Sequence, residues 1–175
     1  MSLGAFGRLS AVFAPAIVVA ACALPASDAR FSERLPDRDT FPEVAQVLVR
    51  HCGTLDCHGT RARNLRLYGN EGLRWAATDQ PLSPPCTTAD EIEQDYISVV
   101  GLEPEVMSEV VTVDGADPER LTLVRKALEL EHHKGGAALH AGDDADRCLR
   151  SWLAMQTDQA ACLRALPATK CFAQP

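Results

Sequence analysis

The strongest constraint on this chain is a ten-residue run, Arg50–Gly59, which reads RHCGTLDCHG. It places two cysteines with four residues between them, and a histidine and a glycine directly follow the second cysteine. Any fold must therefore hold the thiols of Cys52 and Cys57 and the imidazole of His58 near one another. Thiols and imidazoles so placed are typical of cross-links, metal sites and covalent cofactor sites.

Three kinds of chemistry fit these residues. Haem attachment requires two thiols that reach the two vinyl groups while an adjacent imidazole binds the iron, and Cys52, Cys57 and His58 meet that requirement. A disulfide between the two cysteines would instead close a small loop and leave His58 on the surface. Zinc could take the same side chains with His132 or His133, but Cys57 and His58 are adjacent and do not easily face one tetrahedral ion. The sequence favours haem, because a disulfide has no need of the histidine.

Residues 1–21 form a predicted secretory signal, in which Arg8 precedes an uncharged run too short to span a bilayer as a helix. The run ends in VAAC, which resembles the lipobox of bacterial lipoproteins and predicts lipidation of Cys22. The alternative is an ordinary signal peptide cut near the same point. The lipoprotein interpretation is favoured because a cysteine at this position otherwise needs a partner.

Export places the six other cysteines in an oxidising compartment, where thiols are paired, bound to metal or modified. Four of them have no histidine beside them, and disulfides are expected for Cys86, Cys148, Cys162 and Cys171. Four cysteines allow three pairings. The hypothesis that starts from the nearest pair joins Cys162 to Cys171 and Cys86 to Cys148.

The net negative charge of the chain argues against two classes of binding partner. Loss of residues 1–21 removes Arg8 from the 17 basic residues and leaves 16 against 24 acidic ones, a formal charge of −8. An acidic chain argues against nucleic acid as a partner and against electrostatic binding to anionic lipid. The sequence also lacks the G-x-S-x-G motif, a phosphate-binding glycine loop and a zinc-protease motif.

Hydrophobic periodicity predicts one mainly α-helical domain with long loops over residues 41–175, after a polar, flexible tether over residues 22–40. Helix starts are predicted at Phe41-Pro42, at the Thr88–Glu91 capping box, at Glu119 for a helix that reaches Leu128, and near Asp143-Asp144. Long loops in a small exported domain are costly to order. We therefore expect disulfides or a cofactor to offset that cost.

The order of these pieces is similar to that of a known family. A helix, Cys…Cys-His-Gly, Leu-Arg-Leu, a Gly-Leu turn, an Asp-Gly-Ala-Asp-Pro loop, a leucine-rich helix with lysine, Gly-Gly and a last helix with Ser-Trp-Leu follow one another from Phe41 to about Leu153. This series resembles the cytochrome c-like domain of exported proteins from planctomycetes and myxobacteria. The resemblance implies a small cytochrome c-like helical fold.

The resemblance also implies haem c on Cys52 and Cys57, with His58 as the proximal ligand of the iron. Family members have Cys-x2-Cys-His and a Met-Pro that supplies the distal ligand, whereas this chain has two more residues between the cysteines and no Met-Pro. The extra residues are expected to loop outward. When the glycine pair after EHHK is aligned with the glycines of the family, His132 or His133 takes the distal position. Bis-histidine ligation favours electron transfer because both axial positions are closed.

The expected function is one-electron transfer in the cell envelope, so the protein would be an electron carrier rather than an enzyme. Its partners would be an envelope redox protein and the membrane, which it would reach through the lipid on Cys22. Ala23 is not the aspartate that retains some lipoproteins at the inner membrane, which favours the outer membrane. The alternative is a haem-free, disulfide-stapled lipoprotein that serves as a binding or structural module.

Overall fold

The computed structural model describes residues 33–76 and 86–167. The helices within these two stretches are α1 (Phe41–Cys52), α2 (Ala89–Val100), α3 (Pro104–Thr112), α4 (Thr122–Ala127), α5 (Asp144–Leu153) and α6 (Gln159–Arg164). Extended pairing in the described residues is limited to one bridge between Tyr68 and Leu73. The prediction of a mainly helical chain is confirmed. None of the described helices is both long and apolar enough to cross a membrane.

The core is built around α1, whose buried residues are apolar except for Gln46. Phe41 at its start is fully buried, and α1 contacts α2, α5 and α6. The Phe41 ring centre lies 4.9 Å from that of Trp152 on α5 and 5.3 Å from that of Tyr96 on α2. Buried aromatic side chains contribute a large part of the apolar area that stabilises a small domain. This packing fixes α1 and, with it, Cys52 in its last turn.

Two helices begin where the sequence predicts. Thr88 Oγ1 accepts a hydrogen bond from the backbone of Glu91 at 3.2 Å, and the Glu91 carboxylate accepts one from the backbone of Thr88 at 2.9 Å. This reciprocal pair is a capping box at the start of α2. Asp143 caps α5 by accepting a hydrogen bond from the backbone of Asp146 at 2.7 Å.

The helix predicted from Glu119 to Leu128 is interrupted. Pro118–Arg120 forms a 3-10 turn, Leu121 is extended, and α4 begins only at Thr122. The carboxylate of Glu103 accepts hydrogen bonds from the backbone and the hydroxyl of Thr122, at 2.6 and 2.9 Å. A side chain from outside the segment therefore accepts the hydrogen bonds at the start of α4. The hydrophobic periodicity of residues 119–128 cannot predict this contact. The sequence analysis also did not predict α3 and α6.

The domain begins before Phe41. The backbone carbonyls of Pro36 and Asp37 accept hydrogen bonds from Tyr96 Oη at 2.8 Å and from Trp152 Nε1 at 2.7 Å. Both donors belong to the core, so these two residues are part of the folded domain, although the sequence assigns them to the tether. The predicted signal peptide, the lipidation site Cys22 and the first part of the tether lie outside the described residues.

The disulfide pairing expected from the sequence is wrong. Cys148 of α5 is bonded to Cys162 of α6, with Cα atoms 4.7 Å apart, so neither Cys162–Cys171 nor Cys86–Cys148 forms. The packing of α5 against α6 brings together two fully buried thiols that are 14 residues apart in the chain. Helix packing, and not sequence separation, decides which thiols meet. Cys86 is disulfide-bonded as well, and Cys171 lies outside the described residues.

A buried ion pair joins the segment after the cysteine run to α2. Arg74 donates to both carboxylate oxygens of Glu91, at 2.7 and 3.0 Å, in a bidentate pair. Nearby, Asp95 Oδ1 accepts a hydrogen bond from the backbone of Tyr68 at 2.7 Å, while its Oδ2 has no partner among the described residues. Burial raises the pKa of Asp95 to about 8; the Tyr68 bond opposes this rise, and the charge of Glu91 adds to it.

The raised pKa of Asp95 makes stability depend on pH. Between about pH 4 and 8 the folded protein holds a proton on Asp95 that the unfolded chain releases, so the free energy of unfolding falls as the pH rises. In Asp95→Asn, we expect the fall between pH 5 and pH 8, measured by urea unfolding, to shrink by roughly 2–4 kcal/mol. Asp90→Asn, which alters an exposed carboxylate on the same helix, is the control. An equal fall in wild type and Asp95→Asn would contradict this role.

Candidate functional site

The cysteine–histidine run folds back on the end of α1. Cys52 is buried in the last turn of the helix, and its carbonyl accepts a hydrogen bond from the backbone of His58 at 2.9 Å. The chain between them bends outward, where residues 54–56 are exposed. A further bond, from the backbone of Cys57 to the carbonyl of Thr54 at 2.9 Å, closes the turn. The loop between the cysteines is therefore turned outward, as expected from the sequence, although Asp56 still borders the candidate site, and the backbone of His58 returns to Cys52.

Close backbone packing explains the glycine after the histidine. A Cβ atom at Gly59 would lie 1.9 Å from the carbonyl oxygen of Gly53, and one at Gly72 would lie 2.1 Å from the same oxygen. No side chain fits at either position without movement of the backbone. The segment that follows His58 can therefore cross directly over the end of α1.

The His58 imidazole is held in one tautomer. Its Nδ1 lies 3.1 Å from the carbonyl oxygen of Leu65, and because a carbonyl only accepts, Nδ1 donates and carries the proton. The lone pair is then on Nε2, which has no hydrogen-bond partner among the described residues. Burial lowers the pKa of His58; the Leu65 bond opposes this, and the charges of His133 and Arg63 add to it. The site therefore favours the neutral imidazole, which is the form that binds metals.

His133 faces His58. The two ring centres are 6.0 Å apart and the ring planes differ by 24°. His133 Nδ1 donates to the carbonyl oxygen of Gly136 at 3.0 Å, which again leaves the lone pair on Nε2. Gly135 lies against this ring, since a Cβ there would be 3.3 Å from its Cε1 atom. Two imidazoles from distant parts of the chain thus stack beside each other, and each carries its proton on Nδ1 and its lone pair on Nε2.

The second distal candidate, His132, occupies a different position. Its side chain is exposed, and its carbonyl oxygen accepts a hydrogen bond from Lys126 Nζ at 3.2 Å. It borders the outer cleft but has no ring contact with His58. Of the two histidines that the sequence analysis left open, the structure brings His133 to His58.

The imidazoles stand in a cleft with two parts, here called inner, because it reaches the buried Cys52, and outer, because it reaches the partly exposed Cys57. The inner part, about 320 Å³, has a mainly apolar surface; the outer part, about 610 Å³, is lined by more charged and polar side chains. The side chains that border both parts are His58, Arg63, Lys126 and His133. One thiol therefore lines each part, and both imidazoles lie where the two parts meet. The cleft offers an apolar interior and a charged mouth to a flat amphipathic molecule.

The two thiols of the run are not joined. Cys52 and Cys57 are both free, so the disulfide interpretation does not describe this conformation. Burial, and secondly the charge of nearby Cys57, raises the pKa of Cys52 to about 12, which keeps that thiol protonated at neutral pH.

The zinc interpretation requires three or more ligands around one point. Within residues 33–76 and 86–167, no group of three or more His, Cys, Asp or Glu side chains is placed to hold a metal ion. The set of Cys52, Cys57, His58 and one further histidine is therefore not assembled as a zinc site. Haem iron has a different requirement, because the porphyrin supplies four ligands and the protein supplies one or two.

The sequence analysis did not identify several residues that shape the cleft. The Leu65 carbonyl orients His58, and Lys126 of α4 borders both parts of the cleft. Leu65 belongs to the Leu-Arg-Leu segment, whose apolar alternation is visible in the sequence, but its hydrogen bond to a side chain seven residues away is not. Lys126 reads as an ordinary basic residue near a helix end.

Comparison with known proteins supplies no further assignment, since no protein-family model, no curated protein and no solved structure matches the chain. The interpretation of the cleft rests on the geometry of its own residues.

Proposed function

We propose that this protein carries a covalently bound haem c and transfers single electrons in the cell envelope. The observation that carries the proposal is the pair of opposed imidazoles, His58 and His133, in a cleft that the free thiols of Cys52 and Cys57 also line. Each imidazole is oriented by a backbone carbonyl, which is a common way to fix a metal-binding histidine.

One dimension of the cleft supports the proposal. The 6.0 Å between the ring centres is close to the separation of two imidazoles on opposite sides of one metal ion, given metal–nitrogen bonds of about 2 Å, and the stacked rings would have to turn their Nε2 atoms toward that ion. The apolar inner part would receive the edge of the porphyrin, and the charged mouth would receive its propionates. Arg63 and Lys126, which border both parts, would pair with those carboxylates.

Each residue of the site then has one task. Cys52 and Cys57 would each add to one vinyl group, with a new carbon–sulfur bond at one vinyl carbon and the thiol hydrogen on the other. His58 and His133 would bind the iron through Nε2, and both would stay neutral because their protons are on Nδ1. The bound haem supplies reversible one-electron chemistry at the iron. A haem held by two imidazoles would favour electron transfer over catalysis.

The location is proposed from the sequence. An exported chain with a lipid on Cys22 would hold the domain at the envelope, with the outer membrane favoured because Ala23 follows that cysteine. Its electron partner would be another envelope redox protein. The haem-free, disulfide-stapled module is the alternative that the first experiment below distinguishes.

Haem attachment is tested with the full chain, exported in a host that has the cytochrome c maturation machinery. Wild type should show the mass of a covalent haem and a c-type spectrum on reduction. In His58→Ala the covalent haem should fall by more than about tenfold, since the loss of even an outer partner of a metal ligand costs about that much. His51→Ala, which alters an exposed histidine outside the cleft, is the control. A colourless wild type with a Cys52–Cys57 disulfide would favour the haem-free alternative.

The distal ligand is tested with two matched variants. His133→Ala should convert the oxidised iron from low spin to high spin and open it to added imidazole, because one axial position becomes vacant. His132→Ala should keep the low-spin spectrum. Electron paramagnetic resonance and visible absorption of the two purified proteins report the spin state. The reverse result would assign the distal position to His132.

Lipid anchoring is tested by Cys22→Ser. The variant has no thiol to acylate, so we expect it to move from the membrane fraction to the soluble fraction without loss of haem. Fractionation and the mass of the mature N-terminal peptide give the answer. A wild-type protein that is soluble and carries no acyl chain would show ordinary signal-peptide cleavage instead.

A further inference from the structure

The basic side chains of this acidic protein fall into two groups. In the described residues, ten arginines and lysines lie within ion-pair distance of a carboxylate. The basic residues without such a partner in the same stretches are Arg61, Arg63, Arg66 and Lys134. With more acidic than basic residues in the chain, four unpaired cations are not explained by a shortage of carboxylates.

These four cations share one region. Arg63 and Lys134 border the outer part of the cleft, and Arg66 Nε donates to the backbone carbonyl of Arg63 at 3.3 Å. Arg61 lies in the same short segment, and all four side chains belong to exposed residues. An acidic protein thus presents a local concentration of unpaired positive charge at the mouth of its candidate redox site. Such a field attracts an anionic partner although the net charge would repel it.

An exposed groove, lined by both polar and apolar side chains, continues from this charged region. It has a volume of about 690 Å³, is bordered by Arg66, and contains Trp75 and Ile97, which are 46% and 49% exposed. The Trp75 ring packs edge-on against Tyr68, with ring centres 5.2 Å apart. The groove shares Leu102 as a wall with the inner part of the cleft. Tryptophan and arginine side by side on a surface are typical of the centre of a protein interface.

We infer that this face is the docking surface for an acidic electron-transfer protein. Arg61, Arg66 and Lys134, which have no task in the haem proposal, would meet carboxylates at the rim of the partner. Trp75 with Ile97 would be covered by an apolar patch inside that rim. The inference rests on the proposed function, because it names the partner of the same site. A small anion does not account for the surface, since the cations are exposed and come from two separate segments, and the groove beside them exposes Trp75 and Ile97.

The charge part is tested with poly-L-glutamate as an acidic polypeptide probe and the purified full chain. Two double variants carry the same net charge: Arg61→Gln with Arg66→Gln, and Arg147→Gln with Arg164→Gln. The second pair removes exposed arginines that are bonded to Asp144. We expect the first double variant to bind the probe about tenfold more weakly than wild type at low salt and the second to bind as wild type does. Equal weakening in both, or no binding by wild type, would overturn the inference.

The apolar part is tested with a glutamate–tyrosine copolymer. Wild type should bind this copolymer more tightly than poly-L-glutamate, and Trp75→Ala should abolish that preference while keeping the affinity for poly-L-glutamate. Equal affinity of wild type for both polymers would overturn the role of the groove. Tighter binding of an oligothymidylate than of the copolymer would overturn the assignment to a protein partner.

Neither binding measurement depends on colour. A colourless protein that shows the expected polymer binding would refute the haem proposal and leave the docking surface in place. A haem-containing protein whose two double variants bind poly-L-glutamate equally would keep the haem proposal and refute the docking surface. Arg61 and Arg66 do not line the cleft, so their substitution should leave the haem content unchanged.

Discussion

The position of the candidate site depends on how α1 is buried. Phe41 and Cys52 are the two ends of this helix, and a rise of about 1.5 Å per residue makes it a rod of roughly 18 Å. The contacts of Phe41 with Tyr96 and Trp152 hold one end, and the turn from Cys52 to His58 starts from the other. Because α1 is a stiff helix, the packing of Phe41 in the core also fixes the position of the Cys52 thiol at the other end.

Around that fixed end, the backbone organises the chemistry more than side chains do. The carbonyl of Cys52 binds the backbone of His58 where the chain returns to α1. The carbonyl of Leu65 sets the tautomer of His58, and the carbonyl of Gly136 sets the tautomer of His133. Backbone carbonyls have no rotamers to restrict, so they orient an imidazole at a lower entropic cost than a long side chain would. Glycine at position 59 is what permits the close backbone approach that this arrangement needs.

The charged side chains of the described residues occur in three different environments. The Arg74–Glu91 pair is buried and bidentate, and it holds the segment after the cysteine run against α2. Exposed arginines such as Arg147 and Arg164 are matched to carboxylates, where each pair contributes little to stability. Lys126 in the cleft is paired with Glu131, whereas Arg61, Arg63, Arg66 and Lys134 have no carboxylate partner among the described residues.

The sequence by itself determined the helical class, the start of α1 at Phe41, the capping box at Thr88 and the outward loop before His58, because each depends on neighbours within a few residues. Tertiary structure alone decided that Cys148 pairs with Cys162, and that His133 rather than His132 faces His58. It also decided where α4 begins, through the side chain of Glu103. Each of these contacts joins residues that are distant in the chain. Helix packing fixes such distances, and no local pattern of apolar and polar residues encodes them.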